Sequence, residues 1–326
     1  MRALLLDTYQ NGRFRVADIE SSLPAAGQLR LRVHASGVNP LDYKIRQGRA
    51  PFAAPELPAV LGTDVAGVVT EVGAGVQGFA AGDEVYGLAG GVRGLQGSLA
   101  EFMTVDAALM AKKPANLTMR EAAALPLVAL TAWEGLVDRA HVQPAQTVLV
   151  QGGAGGVGHL AVQIAKALGA DVYATASSRK HDLMRQFGAT PIDYTSTTIE
   201  QYLRQYTGGK GFDVVYDTVG GDTLEASLGA TLPYGRVVSC AAYGTHNLAT
   251  SSFRCADISG VFVLYPMLGG ERRAHHGAIL REITALVEAG KIRPIVDPRR
   301  FTLDTAMEAH DAAEAGATIK VVIDVV

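Results

Sequence analysis

Between residues 147 and 169 the spacing of apolar positions changes abruptly. Thr147-Val148-Leu149-Val150 is an unbroken run with the length of a buried strand. Val157, Leu160, Ala161, Ile164, Ala165 and Leu168 then form one stripe at helical spacing, and Gly169 stands where such a helix stops. Between the two periods lies Gly153-Ala154-Gly155-Gly156-Val157-Gly158, a G-x-G-x-x-G placed directly between strand and helix.

The same reading extends along the chain. Before about residue 120 the pattern predicts strands at Ala3–Leu6, Gln28–His34, Val65–Val72, Glu84–Tyr86 and Leu99–Val105, separated by glycine turns. In the second of these, Leu29, Leu31 and Val33 face inward and Arg30 and Arg32 outward. Thr118 with Glu121 spells a capping box, and helical stretches follow at Arg120–Ala124 and Leu130–Asp138. Beyond the glycines, strands Asp171–Thr175, Pro191–Asp193, Phe212–Asp217, Arg236–Cys240 and Val261–Leu264 are expected. Helices Arg179–Phe187, Ile199–Tyr206 and Thr223–Leu228 lie between the first four of them. That alternation implies an α/β fold, a doubly wound parallel sheet with helices on both faces. Helix Ala278–Ala289 and a last strand Ile319–Val325 break the rhythm, so the tail is expected to return to the first, β-rich domain. The expected domains are 1–122 with 271–326, and 123–270.

A G-x-G-x-x-G alone is a weak signal whose plain alternative is a tight glycine turn. Here the preceding strand and following amphipathic helix supply the context for dinucleotide binding. In that role Gly153 allows the turn and Gly155 lets the backbone approach a pyrophosphate. Gly158 lets helix and strand pack closely, and the first turn at Gly156 and Val157 offers N–H groups to phosphate.

Composition narrows the field. The chain has 326 residues, enough for two cores, with 48% hydrophobic and 19% charged residues, as in a soluble protein. A net charge of −3 with no basic block gives nucleic acid no electrostatic footing. Cys240 and Cys255 stand outside any C-x-x-C, so neither a zinc cage nor a disulfide framework is expected, and a reducing cytoplasm is the default. No apolar run reaches the ~18 residues of a membrane span, and the first ten residues carry no signal-peptide pattern.

Several motifs occur in one order. Gly37-Val38-Asn39-Pro40-Leu41-Asp42-Tyr43-Lys44-Ile45-Arg46-Gln47-Gly48 is followed by Gly62-Thr63-Asp64-Val65-Ala66-Gly67, Gly82-Asp83-Glu84-Val85 and Leu130-Thr131-Ala132-Trp133. The glycine segment Gln146–Lys166 completes the series. The series resembles the quinone oxidoreductase and ζ-crystallin group, the zinc-independent branch of the medium-chain dehydrogenase/reductases; Ala145 departs from the group's preference there. The resemblance implies a GroES-like catalytic domain made of both chain ends, a Rossmann domain, and an active site in the cleft between them. It also places Thr131 near the nicotinamide.

About 20 residues after the glycines an NAD site carries a carboxylate for the ribose hydroxyls. Here the corresponding stretch reads Ala176-Ser177-Ser178-Arg179-Lys180, without Asp or Glu. A guanidinium there suits a 2′-phosphate, and cations are otherwise unfavourable at a helix start. In the family a basic residue and a later tyrosine hold that phosphate, which map onto Arg179 and Tyr194. NADPH is therefore the expected cofactor, with Ser177, Ser178 and Gly220 at the sheet's carboxyl edge as further contacts.

In zinc-holding relatives the metal ligands fall where this chain has Asn39, Thr63 and the stretch Leu125–Leu127, a set unsuited to zinc. His275 and His276 are expected on an exposed helix start. Without a Lewis acid the acceptor must delocalise the incoming charge itself, as a quinone or an α,β-unsaturated carbonyl does. Asn39, Asp42, Tyr43 and Lys44 are the substrate-side candidates. Asn39 could polarise the acceptor oxygen, and Asp42 has a local cap as its plain alternative. If the segment is extended, Tyr43 and Lys44 face opposite ways. The leading reading is a quinone oxidoreductase. The alternatives are an enone or enal reductase and an NADPH-binding sensor without turnover. The apolar stretch Gly260–Tyr265, read as an outer strand, is expected to pair with a second copy in a homodimer.

Overall fold

Leu29, Leu31 and Val33 are buried, and they lie on the central strand of a β-rich unit. The computed structural model describes residues 1–10, 12–316 and 319–326. It divides into two units, Met1–Leu127 with Leu264–Val326, and Val128–Val263.

The first unit opens with β1 (Arg2–Leu6), β2 (Phe14–Asp18), β3 (Gln28–Gly37), helix α1 (Pro40–Arg46) and β4 (Ala59–Val60). It continues through β5 (Asp64–Val72), β6 (Glu84–Leu88), β7 (Phe102–Asp106), β8 (Met110–Lys112) and α2 (Met119–Ala123). Strand β3 pairs antiparallel with β5 and β7, and Val65, Val69, Val85 and Met103 close the core over it. The capping box before α2 is formed: Thr118 N–H donates to Glu121 Oε2 at 2.8 Å and Glu121 N–H to Thr118 Oγ1 at 3.3 Å.

After α3 (Pro126–Trp133) the second unit alternates strand and helix. Its elements are β9 (Thr147–Gln151), α4 (Gly156–Ala167), β10 (Asp171–Ala176), α5 (His181–Gln186), β11 (Thr190–Asp193) and α6 (Ile199–Thr207). Then come β12 (Phe212–Asp217), α7 (Asp222–Ala230), β13 (Thr231–Ser239), α8 (Ala249–Arg254) and β14 (Asp257–Gly260). The sheet is parallel in the order β11-β10-β9-β12-β13-β14. The order reverses between β9 and β12, the place where such sheets bind ligands. The chain then returns to the first unit as α9 (Tyr265–Gly269), α10 (Arg273–Glu288), β15 (Phe301–Thr302), α11 (Ala306–Glu314) and β16 (Val322–Asp324), the last pairing antiparallel with β3.

Four local expectations are corrected. The segment after Gly37 is not extended but forms α1, because Asn39 takes the extended N-cap conformation and Pro40 begins the helix. Asp42 then folds back onto the Asn39 N–H. The outer strand is Asp257–Gly260, not Val261–Leu264. Its ladder with β13 ends at Ser239, where the Val261 N–H donates to the Ser239 carbonyl, and beyond it Val261, Val263 and Leu264 are buried by packing instead while Phe262 is exposed. The helix expected at Leu130–Asp138 splits into α3 and a wider π turn over Glu134–Arg139. His276 is buried rather than exposed, since α10 lies close against the residues before β8. A Cβ on the adjacent Gly277 would sit 2.6 Å from the Ala108 carbonyl oxygen.

Candidate active site

In the second unit the turn after β9 is shaped from both sides. Gly152 N–H donates to Thr175 Oγ1 at 2.9 Å, and Gly153 N–H to the Thr175 carbonyl at 2.9 Å. Thr218 Oγ1 donates to the Gln151 carbonyl at 2.7 Å. The left-handed residue of the turn is Gly152, at φ +73, one place before the motif. Gly153, expected to make the turn, serves packing instead: a Cβ there would lie 2.7 Å from Ala174 Cβ. Gly158 is likewise required internally, since a Cβ would strike the Gly152 carbonyl.

Gly155 is different. At its Cβ position the nearest described atom is the Gly152 carbonyl oxygen, at 3.3 Å, a tight contact but far milder than the 2.7 Å at Gly153 or the 2.1 Å at Gly158, so packing alone calls for a glycine less strongly there. It is the N-cap of α4 and offers no capping side chain. No side chain caps the first turn at Gly156 and Val157, and a helix start of this kind is suited to an anionic group such as a pyrophosphate. The chain fits a dinucleotide here.

Strand β12 supplies the facing edge. Asp217, fully buried, accepts from Ser239 Oγ at 2.6 Å and from the N–H groups of Val219 and Gly220, each at 3.0 Å. Asp217 thereby holds Gly220, which has φ +82, in place. The carbonyl of Thr131 accepts the Tyr216 hydroxyl at 2.7 Å, which fixes the C-terminal half of α3 beside the same strand. After β10, Ser177 is half-buried, Ser178 and Arg179 are exposed, and Tyr194 is 63% exposed after β11. Among the described residues the exposed Arg179 side chain makes no hydrogen bond or ion pair.

In the first unit a polar cluster is buried at the start of α1. Asn39, Asp42, Thr63, Asp64 and Lys320 are each at most 5% exposed. Asn39 Nδ2 donates to Thr63 Oγ1 at 3.0 Å and to Asp64 Oδ2 at 2.8 Å. Lys320 Nζ donates to Asp64 Oδ2 at 2.9 Å and to Asn39 Oδ1. Leu127 N–H occupies Asp64 Oδ1 at 2.8 Å. Both amide hydrogens of Asn39 are thus engaged inside the protein, and polarising an acceptor through this amide would require breaking one of those bonds. Asp42 Oδ2 accepts from Asn39 N–H at 2.7 Å and from Thr63 Oγ1 at 3.2 Å, while Oδ1 has no partner among the described residues. Burial raises the Asp42 pKa to about 7; the nearby Asp64 adds to the rise and Lys320 opposes it.

Tyr43 and Lys44 are successive residues of a helix rather than of a strand, so they diverge by about 100°. Tyr43 is half-buried, with the Arg49 guanidinium 5.9 Å from its ring centre. Lys44 is exposed and makes no ion pair among the described residues. The structure therefore brings Asn39 and Asp42 together underneath α1 and leaves Lys44 on its surface.

Zinc does not fit this cluster. Asn39 and Thr63 are hydrogen-bonded to each other, and the Lys320 ammonium bridges Asn39 to Asp64, so a divalent cation would have to displace a bound ammonium. Among the described residues no group of three His, Cys, Asp or Glu side chains could hold a metal ion. Nor is any helix among them long and apolar enough to cross a membrane.

Sequence reasoning missed Lys320, Asp64, Asp217 and Gly152. Asp64 and Gly152 lie inside motif segments and had a signal of position, and Asp217 ends an apolar strand. Lys320 carries no sequence signal, because its partners are 256 and 281 residues away.

Two family patterns match the chain. The one described as "Alcohol dehydrogenase GroES-like domain" covers residues 25–115, and the one described as "Zinc-binding dehydrogenase" covers residues 156–276. The chain is 39% identical over 306 residues to a 2-methylene-furan-3-one reductase of Solanum lycopersicum, covering 91% of this chain and 71% of that protein. It is 36% identical over 306 residues to a chloroplastic NADPH-dependent alkenal/one oxidoreductase of Arabidopsis thaliana, covering 91% and 72%. Among solved structures, an alcohol dehydrogenase superfamily protein from Novosphingobium aromaticivorans superposes with a TM-score of 0.97 at 51% identity, over 100% of both chains. The quinone oxidoreductase from Coxiella burnetii gives a TM-score of 0.84 at 30% identity, over 100% of this chain and 99% of that one.

Proposed function

We propose that this chain, an oxidoreductase that belongs to the medium-chain dehydrogenase/reductase superfamily, uses NADPH to reduce the carbon–carbon double bond of an α,β-unsaturated ketone or aldehyde. The carrying observation is the Lys320 ammonium seated between Asn39 and Asp64, with Asn39 and its partner Thr63 standing at two of the positions expected to carry metal ligands in zinc-holding relatives. With an internal ammonium occupying that place instead of a metal, the acceptor is met by hydrogen-bond donors alone, which suits one that spreads the incoming charge over its own conjugated system. Two relatives bear names for enone and alkenal reduction, which favours this reading over quinone reduction, the leading expectation from sequence. Quinone reduction stays as a second reading because of the likeness to the Coxiella burnetii enzyme.

The residues divide the work. Gly155, Gly156 and Val157 bind the pyrophosphate, and Arg179 with Tyr194 holds the 2′-phosphate. Bound there, NADPH supplies a hydride. Lys44, exposed on α1, offers an ammonium to the acceptor oxygen, whose negative charge grows as the β-carbon is reduced. Asn39 and Asp42 set the first turn of that helix. Steady-state oxidation of NADPH and NADH with but-3-en-2-one, 2-hexenal, 1,2- and 1,4-quinones and simple aldehydes tests the reading. It expects the highest kcat/KM for an enone or enal with NADPH. A preference for quinones would move the protein to the second reading, and tight NADPH binding without turnover would make it a binding protein.

A further inference from the structure

Lys320 joins three segments at one nitrogen. It precedes β16, Asp64 begins β5, and Asn39 caps α1. All three side chains are buried, and both carboxylate oxygens of Asp64 are occupied, Oδ1 by Leu127 N–H and Oδ2 by Lys320 and Asn39. A buried ion pair is a weak way to stabilise a fold, since desolvation offsets much of the Coulombic gain. Its best-attested use is to fix one arrangement among several. The arrangement fixed here is the side chain of Asn39, held at its oxygen by Lys320 and at its nitrogen by Thr63 and Asp64. Asn39 in turn is the residue on which Asp42 closes the first turn of α1.

We propose that Lys320 is a positioning residue for acceptor reduction: by holding Asn39 Oδ1 and Asp64 Oδ2 on one ammonium, it fixes the first turn of α1 and so the direction in which Lys44 is presented. The inference rests on the reading of α1 as the acceptor-facing element. A lysine does this where an arginine does not. An ammonium is a point that two oxygens can share, whereas a guanidinium is a planar fork that pairs with one carboxylate and pushes the amide aside. Simple neutralisation of Asp64 would be served by either.

The test uses Lys320→Arg and the paired variant Lys320→Met/Asp64→Asn, which removes both charges together. Each is measured for cooperative thermal unfolding, for NADPH affinity by fluorescence, and for kcat and KM with but-3-en-2-one. The expected result is cooperative unfolding and NADPH affinity within about twofold of wild type, with kcat lowered by ~10- to 100-fold, as a displaced reacting group loses. Wild-type kcat, within about twofold, in either folded variant would overturn the proposal and leave Lys320 as a counter-ion. If the paired variant does not fold, Lys320→Arg decides alone. Failure of the wild-type protein to reduce any enone or enal would overturn the functional reading, and this inference with it, before any variant is compared.

Discussion

The backbone N–H of Asn39 donates to Asp42 Oδ2 at 2.7 Å, although both residues are 1% exposed and Asp42 has its pKa raised to about 7. One carboxyl therefore caps a helix and bears the cost of burial. In the unfolded chain it titrates near the usual aspartate value, about 3.9. Between that value and about 7 the folded protein binds more protons than the unfolded one, so stability falls as pH rises. The contribution is fully present below the unfolded value and is lost through pH 7. Urea unfolding from pH 4.5 to 8 should show wild type losing stability relative to Asp42→Asn by a few kcal/mol at most, at roughly 1.4 kcal/mol per pKa unit. A difference that does not change with pH would refute the assignment.

His310 works in the opposite direction. It is buried against Phe14, with ring centroids 5.2 Å apart, and burial, aided by the Arg46 charge, lowers its pKa to about 3. Arg46 itself donates to Asp311 Oδ1 at 3.1 Å and to the Gly12 carbonyl at 2.9 Å. A depressed histidine contributes stability above its unfolded pKa of about 6.5, lost as pH falls toward 3. Removing it, as in His310→Leu, should reduce the loss of melting temperature between pH 6.5 and 4. An unchanged acid sensitivity would show that His310 is not its source.

Arg179→Ala should weaken NADPH and spare NADH. A hydrogen bond to a charged group is worth roughly 1.5–3 kcal/mol, which corresponds to a ~10- to 100-fold loss in affinity. Fluorescence titration with both nucleotides measures it. Equal losses for the two would place the 2′-phosphate elsewhere.

Strand β14 ends its sheet, with Ile258 37% exposed on it and Phe262 40% exposed just beyond. An outer strand with Ile258 exposed on it and Phe262 exposed beside it is open to pairing with a second copy across a twofold axis. Light scattering at micromolar concentration should give a dimer, and Ile258→Lys should shift it toward monomer. A wild-type monomer would contradict the pairing.

Much of this fold is legible in the chain because its signals are local. The change of period around Gly153 locates β9 and α4, and the alternation of Leu29, Leu31 and Val33 locates β3. Where two local signals compete, hydrophobicity alone misleads. Val261–Leu264 has the composition of a strand but no free ladder to join, and Gly37–Gly48 reads as extended until Asn39, Pro40 and Asp42 are seen as a cap. The chemistry of the first unit was half visible. Asn39 and Asp42 lie in a motif, but the ammonium that orders them arrives from residue 320, and no spacing along the chain announces that meeting.

The most direct test of the account is the fate of the hydride. The reduction balances as NADPH, an enone and a proton giving NADP⁺ and the saturated ketone. With NADPH deuterated at C4 and but-3-en-2-one as acceptor, mass spectrometry and NMR should find the deuterium on the β-carbon of butan-2-one, and the proton added at the α-carbon should come from solvent. Deuterium on the carbonyl carbon of an unsaturated alcohol, or no labelled product while quinones are consumed, would contradict it.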